Sequence, residues 1–272
     1  RNGDEVDVVA DDLKNATDVA GNYDVAIVCL GEIPSTERAG DIYTLDLPDE
    51  QKNIIKELSK KDIPIVLILV EGRPKIIRDI EPLCDAVIQT YLPGDHGAEA
   101  LIDILLGNIN PSGKLPYTYP KYNGVIMNYD YKQSETINGN NWKNDFYEAQ
   151  WDFGFGLSYT NFEYSNLSVD KEVISSTDEL IVSIDIENTG KFKGKEVIQL
   201  YLHDHYATIS PPLKKLIRYC KIDLNPNEKR TVSFKLNKKD LEFFGVENCW
   251  IVEEGSFSLF IDSQKVDFIY KN

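Results

Sequence analysis

No stretch of this sequence carries the cysteine-pair or cysteine–histidine spacing of a zinc or redox site, and only three histidines occur in 272 residues. No glycine-rich phosphate loop follows any of its strand-like runs, which removes the basis for a nucleotide site. Cationic charge is scarce: 29 Lys and Arg stand against 45 Asp and Glu, for a net charge of −16. Nucleic acids and anionic membranes both require cationic patches that release counterions, so neither is an expected partner. No apolar run approaches the roughly 20 residues of a membrane span. The longest, Ile63 to Val70, has the length of a buried strand. Neither a methionine nor a leader opens the chain, and Arg1-Asn2-Gly3 reads as the start of a fragment or a processed chain.

What is present suits a soluble protein with two cores. Hydrophobic residues make up 42% and charged residues 27%, an ordinary globular balance. Up to about residue 160, short apolar runs alternate with helix-like segments. Strands are expected at Val6–Ala10, Val25–Leu30, Ile65–Val70 and Ala86–Tyr91. Helices are expected at Asp12–Ala20, from Pro48 to about Lys60, weakly over Ile76–Leu83, and from Gly97 to Leu106. Runs apolar on both faces, alternating with helices, predict a parallel α/β/α sandwich covered on both sides. Cys29, inside such a run, is expected to be a buried small hydrophobe. Pairing between Cys220 and Cys249 stays open.

Right-handed crossovers bring the C-terminal ends of parallel strands to one edge, where ligands bind. Three loops therefore share an edge: 31–47, 71–74 and 92–97. The first begins GEIPSTERAGD, with Glu32, Glu37 and Asp41 in eleven residues. Either glutamate is a loop solubiliser or one of them is a catalytic acid. Asp41, after Gly40, reads as a turn residue. Residues 108–160 are too long and irregular for a simple connector and read as a functional loop or an extended wrap. Beyond Phe162 the pattern turns to period two, as in Leu180, Val182, Ile184 and Ile186, which predicts a β-sandwich of roughly seven strands.

Several stretches resemble the C-terminal part of glycoside hydrolase family 3 enzymes, β-glucosidases and related exo-acting β-glycosidases. They are GEIPSTERAGDI at 31–42, EGRPKII at 71–77, LPGDHGAEAL at 92–101, GNINPSGKLPYTYP at 107–120 and WDFGFGLSYTNFEYSNL at 151–167. The sandwich, with GKEVIQLYLHD at 194–204, resembles the fibronectin type III-like (immunoglobulin-like) domain of that family. The resemblance implies the later part of the family's α/β sandwich domain at 1–160 and the all-β domain at 161–272. It also implies a partner, a (β/α)8 barrel domain or chain carrying the aspartate nucleophile, for which no motif occurs here.

A retaining glycosidase needs two carboxyls about 5–5.5 Å apart, a nucleophile and an acid/base. The resemblance gives the general acid/base role to Glu37. Glu32 is its competitor, with loop hydrogen bonding as its own expected work. Arg38 either holds a neighbouring carboxylate or is solvated. Arg73 either orients the Glu37 loop or makes a structural ion pair. His96, beside Asp95 on the same edge, is expected to hydrogen-bond within its loop. Trp142, Tyr147 and Trp151 either pack the long segment or stack on sugar, Trp142 being the best placed for exposure. His203 and His205 share a strand face, but no third metal ligand is evident, and no metal or other cofactor is expected.

The expected function is thus part of a retaining exo-β-glycosidase acting on β-linked glucosides or oligosaccharides, inactive without its barrel. The alternative is a non-catalytic carbohydrate-binding or scaffolding module. A secreted or periplasmic location is expected from the family's exported bacterial members.

Overall fold

The computed structural model describes residues 10–33, 40–125, 128–130 and 149–272. They divide into two compact units, one from 1–102, 119–126 and 145–151 and the other from 103–118, 127–144 and 152–272. The strand expected at Val6–Ala10 lies outside the described residues except for Ala10, which opens the first helix.

In the first unit, α1 (Ala10–Ala20) leads into β1 (Ala26–Gly31), then α2 (Asp49–Leu58), β2 (Ile65–Val70) and β3 (Ala86–Tyr91). The three strands form one parallel sheet in the order β1-β2-β3. Helix α3 (Gly97–Leu105) follows β3. Pro48 caps α2, Asp49 and Glu50 occupy its positive first turn, and Ile55 and Leu58 face inward. Register puts Gly31 beside Val70 and Val70 beside Tyr91, so the loops after all three strands leave the sheet side by side. A short antiparallel pair, β4 (Tyr119–Pro120) with β5 (Ala149–Trp151), brackets the excursion between them.

Three expectations need correction. Two-sided burial holds for the central strand β2 alone; on the edge strand β1, Ile27 is 50% exposed while its neighbours Val28 and Leu30 are buried. Cys29 is accordingly exposed, because it shares the open face of β1 with Ile27 while Val28 and Leu30 point to the covered one. No helix spans Ile76–Leu83. Ile76 makes an isolated parallel bridge to Asp46 and donates its N–H to the Leu45 carbonyl at 2.9 Å, which demands extended backbone. One 3₁₀ turn, Glu81–Leu83, remains, and it contains Pro82. The helix-like spacing of Ile76, Ile77 and Ile80 arises because all three are buried plugs of the core.

Among the described residues the second unit is a sandwich of eight strands, in line with the roughly seven expected. Its strands are β6 (Phe162–Val169), β7 (Val173–Ile174), β8 (Leu180–Asn188), β9 (Gly194–Asp204), β10 (Lys215–Leu224), β11 (Lys229–Leu236), β14 (Gly255–Ile261) and β15 (Gln264–Tyr270). One sheet runs β10-β9-β14-β15-β7 and the other β11-β8-β6; the hairpin β12 (Phe243–Phe244) with β13 (Trp250–Ile251) stands apart. Alternate residues of β8 and β9 (Val182, Ile184, Ile198, Leu200) meet Phe257 and Leu259 in one dry core. At the end of β8, buried Asn188 accepts from the Thr160 hydroxyl at 2.6 Å and from Gly190 N–H at 3.1 Å. Its amide donates to the carbonyls of Phe192 and Leu224 at 2.8 and 3.0 Å. Segments 107–118 and 152–160 behave as a wrap on this unit. Leu115 and Phe155 pair through backbone, Lys114 Nζ reaches Gly156 O at 2.7 Å, and Lys221 Nζ reaches Ser112 O at 2.9 Å.

Candidate active site

The common edge of the parallel sheet gathers the chemistry of the first unit. Gly31 ends β1 with φ +155°, and a Cβ there would collide with the Val70 carbonyl. Its N–H donates to Gln51 Oε1 at 3.0 Å and its carbonyl accepts from Gln51 Nε2 at 2.9 Å, so α2 clamps the point where the acidic loop departs.

Glu32 follows at once and is held from several sides. Its Oε1 accepts from the Arg73 backbone N–H at 3.0 Å. Arg73 Nε lies 3.1 Å from both carboxylate oxygens and Nη2 2.7 Å from Oε2. Lys75 Nζ stands 3.1 Å from Oε2, with the Glu32 and Lys75 side chains only 12% and 7% exposed. Burial pushes the Glu32 carboxyl up, but the combined hydrogen bonds and charges of Arg73 and Lys75 outweigh it and hold the pKa at about 2. A carboxyl so held is ionised across the working range of a glycosidase and has no proton to give. Arg73 also donates through Nη1 to the Gly40 carbonyl.

Behind this pair lies a second, buried set. Glu71, fully buried, accepts at Oε1 from the Lys75 backbone N–H at 3.2 Å and from Gln89 Nε2 at 3.3 Å. The Tyr119 hydroxyl lies 2.9 Å from the same oxygen and 2.7 Å from the Lys75 carbonyl. Glu71 Oε2 has no hydrogen-bond partner among the described residues. Desolvation pushes this carboxyl up, against the pull of Tyr119 and Lys75. The far side of the loop is fixed by Asn123, which accepts from Leu45 N–H at 2.7 Å and donates to Asp46 Oδ2 at 2.7 Å.

A model described as Glycosyl hydrolase family 3 C-terminal domain matches residues 5–159, more than half of the chain. The chain belongs to glycosyl hydrolase family 3. A Fibronectin type III-like domain matches residues 196–265 of this family 3 chain. It is 36% identical over 266 residues to a lysosomal beta glucosidase of Dictyostelium discoideum, covering 93% of this chain and 31% of the relative. It is 32% identical over 267 residues to a periplasmic beta-glucosidase of Salmonella typhimurium, covering 93% of this chain and 35% of the relative. The crystal structure of a beta-glucosidase from Listeria innocua in complex with glucose superposes with a TM-score of 0.91 at 27% identity. That match covers 97% of this chain and 39% of the other. The family 3 chain thus spans about a third of the curated relatives it matches.

Of the residues singled out from sequence, Glu32 and Arg73 are brought into direct contact. Glu37, Arg38, Trp142 and Tyr147 lie outside the described residues. His96 has a 93% exposed side chain whose Nδ1 is 3.7 Å from Glu99 Oε2, one helical turn on. Trp151 packs edge-on against Tyr119, ring centroids 5.2 Å apart, and so serves packing. His203 and His205 face each other at 4.9 Å, yet His203 Nδ1 is engaged by the Pro212 carbonyl and His205 Nε2 by Ser258 Oγ. Among the described residues no group of three or more His, Cys, Asp or Glu is placed to hold a metal ion. All four cysteines are free thiols, Cys220 and Cys249 included. Sequence reasoning missed Gln51, Glu71, Lys75 and Tyr119. The available signal was EGRPK, three charges in five residues directly after a buried strand at the same edge as GEIPSTER.

Proposed function

We propose that this chain supplies the general acid/base of a retaining exo-β-glycosidase, a β-glucosidase acting on β-linked glucosides or oligosaccharides. Glu37 is that group. It protonates the departing glycosidic oxygen, then takes the proton of the water that releases the glycosyl-enzyme. The aspartate nucleophile and most sugar contacts belong to a (β/α)8 barrel outside this chain, and the chemistry needs no cofactor. Domains at 1–160 and 161–272 and a secreted or periplasmic location complete the reading, the latter supported by the periplasmic relative. Among the described residues no helix is long and apolar enough to cross a membrane.

The observation that carries this reading is the state of Glu32. Of the two glutamates in the loop, Glu32 is locked as an anion by Arg73 and Lys75. That speaks against Glu32 as the proton donor and supports Glu37, to which the resemblance to family 3 gives the role.

The test has two arms. The 272-residue chain alone should not hydrolyse an aryl β-glucoside, and robust turnover would refute a missing nucleophile. In the complete enzyme, Glu37→Ala should slow substrates with poor leaving groups by about 10²–10⁴-fold, activated ones far less, with azide restoring part of the rate. Equal losses on both substrates remove Glu37 from the role.

A further inference from the structure

Two of the three histidines in the chain, His203 and His205, stand two positions apart at the end of β9. Strand alternation turns Leu202 into the sandwich core and both imidazoles to the outer face. The backbone of His205 keeps that alternation, since its N–H donates to the Ser256 carbonyl at 3.2 Å. The two rings are partly buried and face each other at 62°, with centroids 4.9 Å apart.

Each ring is tied at one nitrogen, and in both the tied nitrogen must carry the hydrogen. His203 Nδ1 lies 3.1 Å from the Pro212 carbonyl, a group that only accepts. Nδ1 is thus the N–H, and Nε2 of the neutral ring is a lone pair. His205 Nε2 lies 2.7 Å from Ser258 Oγ. Register places Ser258 across from Asp267 on β15, and its hydroxyl gives its one hydrogen to Asp267 Oδ1 at 2.5 Å. Towards the imidazole, Ser258 is therefore an acceptor. His205 carries its hydrogen on Nε2 and keeps Nδ1 as a lone pair. Ser258 has no exposed surface, so water does not compete for its hydroxyl.

Metal-binding histidines are supported in this way, one nitrogen donating to a carbonyl or a carboxylate relay and the other turned to the ion. The spacing of the rings agrees. A cation roughly 2.0–2.1 Å from one nitrogen of each ring lies about 3.2 Å from each ring centre. Ligand angles of about 90–110° then set the centres about 4.5–5.2 Å apart. The observed 4.9 Å falls inside that range.

We propose that His203 Nε2 and His205 Nδ1 form a two-imidazole site for a borderline divalent cation, Zn²⁺ or Cu²⁺, on the outer face of the sandwich. Imidazole suits these ions, whereas Mg²⁺ and Ca²⁺ take oxygen ligands. Asp204, between the two histidines, turns to the opposite face and accepts the Tyr206 N–H at 3.1 Å. Among the described residues no group of three or more His, Cys, Asp or Glu is placed to hold a metal ion, so water completes the coordination. With half the ligands of a structural zinc site, a dissociation constant on the order of 1–100 μM is expected. The site is independent of the acid/base assignment.

The test uses the 272-residue chain with the exposed thiols removed as Cys29→Ser and Cys249→Ser, since thiolates also take these ions. Calorimetric titration with Zn²⁺ should weaken by about tenfold or more in His203→Ala and in His205→Ala. His96→Ala, which removes the remaining and fully separate histidine, should leave the affinity unchanged, and Mg²⁺ should not compete. Ser258→Ala keeps both imidazoles and should still lose about tenfold or more, because the tautomer of His205 is no longer fixed. Ring nitrogen chemical shifts of the metal-free chain should show the hydrogen on Nδ1 of His203 and on Nε2 of His205. No saturable Zn²⁺ binding below about 1 mM, or binding that survives both histidine substitutions, overturns the site. Reversed tautomers, or full affinity in Ser258→Ala, overturn the pre-set arrangement on which it rests.

Discussion

Arg73 lays its fork along the Glu32 carboxylate, with Nε 3.1 Å from each oxygen and Nη2 2.7 Å from Oε2, at a side-chain exposure of 12% for the glutamate. The pair makes folding pH-dependent in a defined direction. Glu32 is depressed from 4.5 to about 2, so its stabilisation is complete above the unfolded value and is lost as pH falls towards 2. Glu32→Gln should therefore be less stable than the unmodified chain at pH 7 and flatter across pH 4.5 to 2. Urea midpoints measured across that window check it; parallel curves would contradict it.

Glu71 runs the other way. Its carboxyl is raised by burial, so its favourable contribution is present below the unfolded value of 4.5 and lost as pH rises through the folded one. Glu71→Gln should gain stability relative to the unmodified chain as pH is raised above 4.5. A difference that stays constant with pH would show that Glu71 does not titrate on unfolding.

Tyr119→Phe removes the hydroxyl shared by Glu71 and the Lys75 carbonyl in a fully buried setting. The expected loss is about 1–3 kcal/mol, the cost of leaving buried polar groups without their partner. Trp151, packed edge-on against the same ring, provides a fluorescence readout of the local transition.

Gly31→Ala places a methyl group against the Val70 carbonyl at a positive φ. The sheet edge should yield by at least about 2 kcal/mol, because strain and steric overlap act together. Amide exchange in β1 should rise while β9 of the sandwich keeps its protection. Uniform protection in both would mean that the strand end relaxes freely.

Asn188→Ala addresses the sandwich. Four hydrogen bonds converge on that one side chain: from Thr160 and Gly190, and to Phe192 and Leu224. Its loss should cost more than about 2 kcal/mol, since Asn188 is fully buried and its partner carbonyl on Leu224 is left unpaired in the interior. A urea midpoint within error of the unmodified chain would be incompatible with that account.

Much of this architecture was legible in the residues. Ile65–Val70 is apolar at every position because β2 buries both faces, Ile65, Leu67 and Leu69 on one and Ile68 on the other. The sandwich strands alternate cleanly because each has one wet face. Cys29 and Ile76–Leu83 misled for one shared reason: local apolarity tells that a residue resembles core, and says nothing about which neighbours arrive to bury it. Glu71 and Lys75 were illegible for the opposite reason. Charged types are surface residues by default, and only the three-dimensional meeting of Glu32, Arg73, Lys75 and Tyr119 makes these two interior. Within the site, the loop and its sheet edge could be read. The hold on that loop could not, because Glu32 and Arg73 are 41 positions apart.

Gly40 is held by its carbonyl, a group that every amino acid carries, and Glu32 by a side chain outside segment 33–39. The anchoring therefore makes no demand on the identity or number of residues between the two points. Closing a longer loop costs only about 0.6 kcal/mol per doubling. Insertions or deletions between these two anchor points should therefore leave Glu32, Arg73 and the sheet edge as they are.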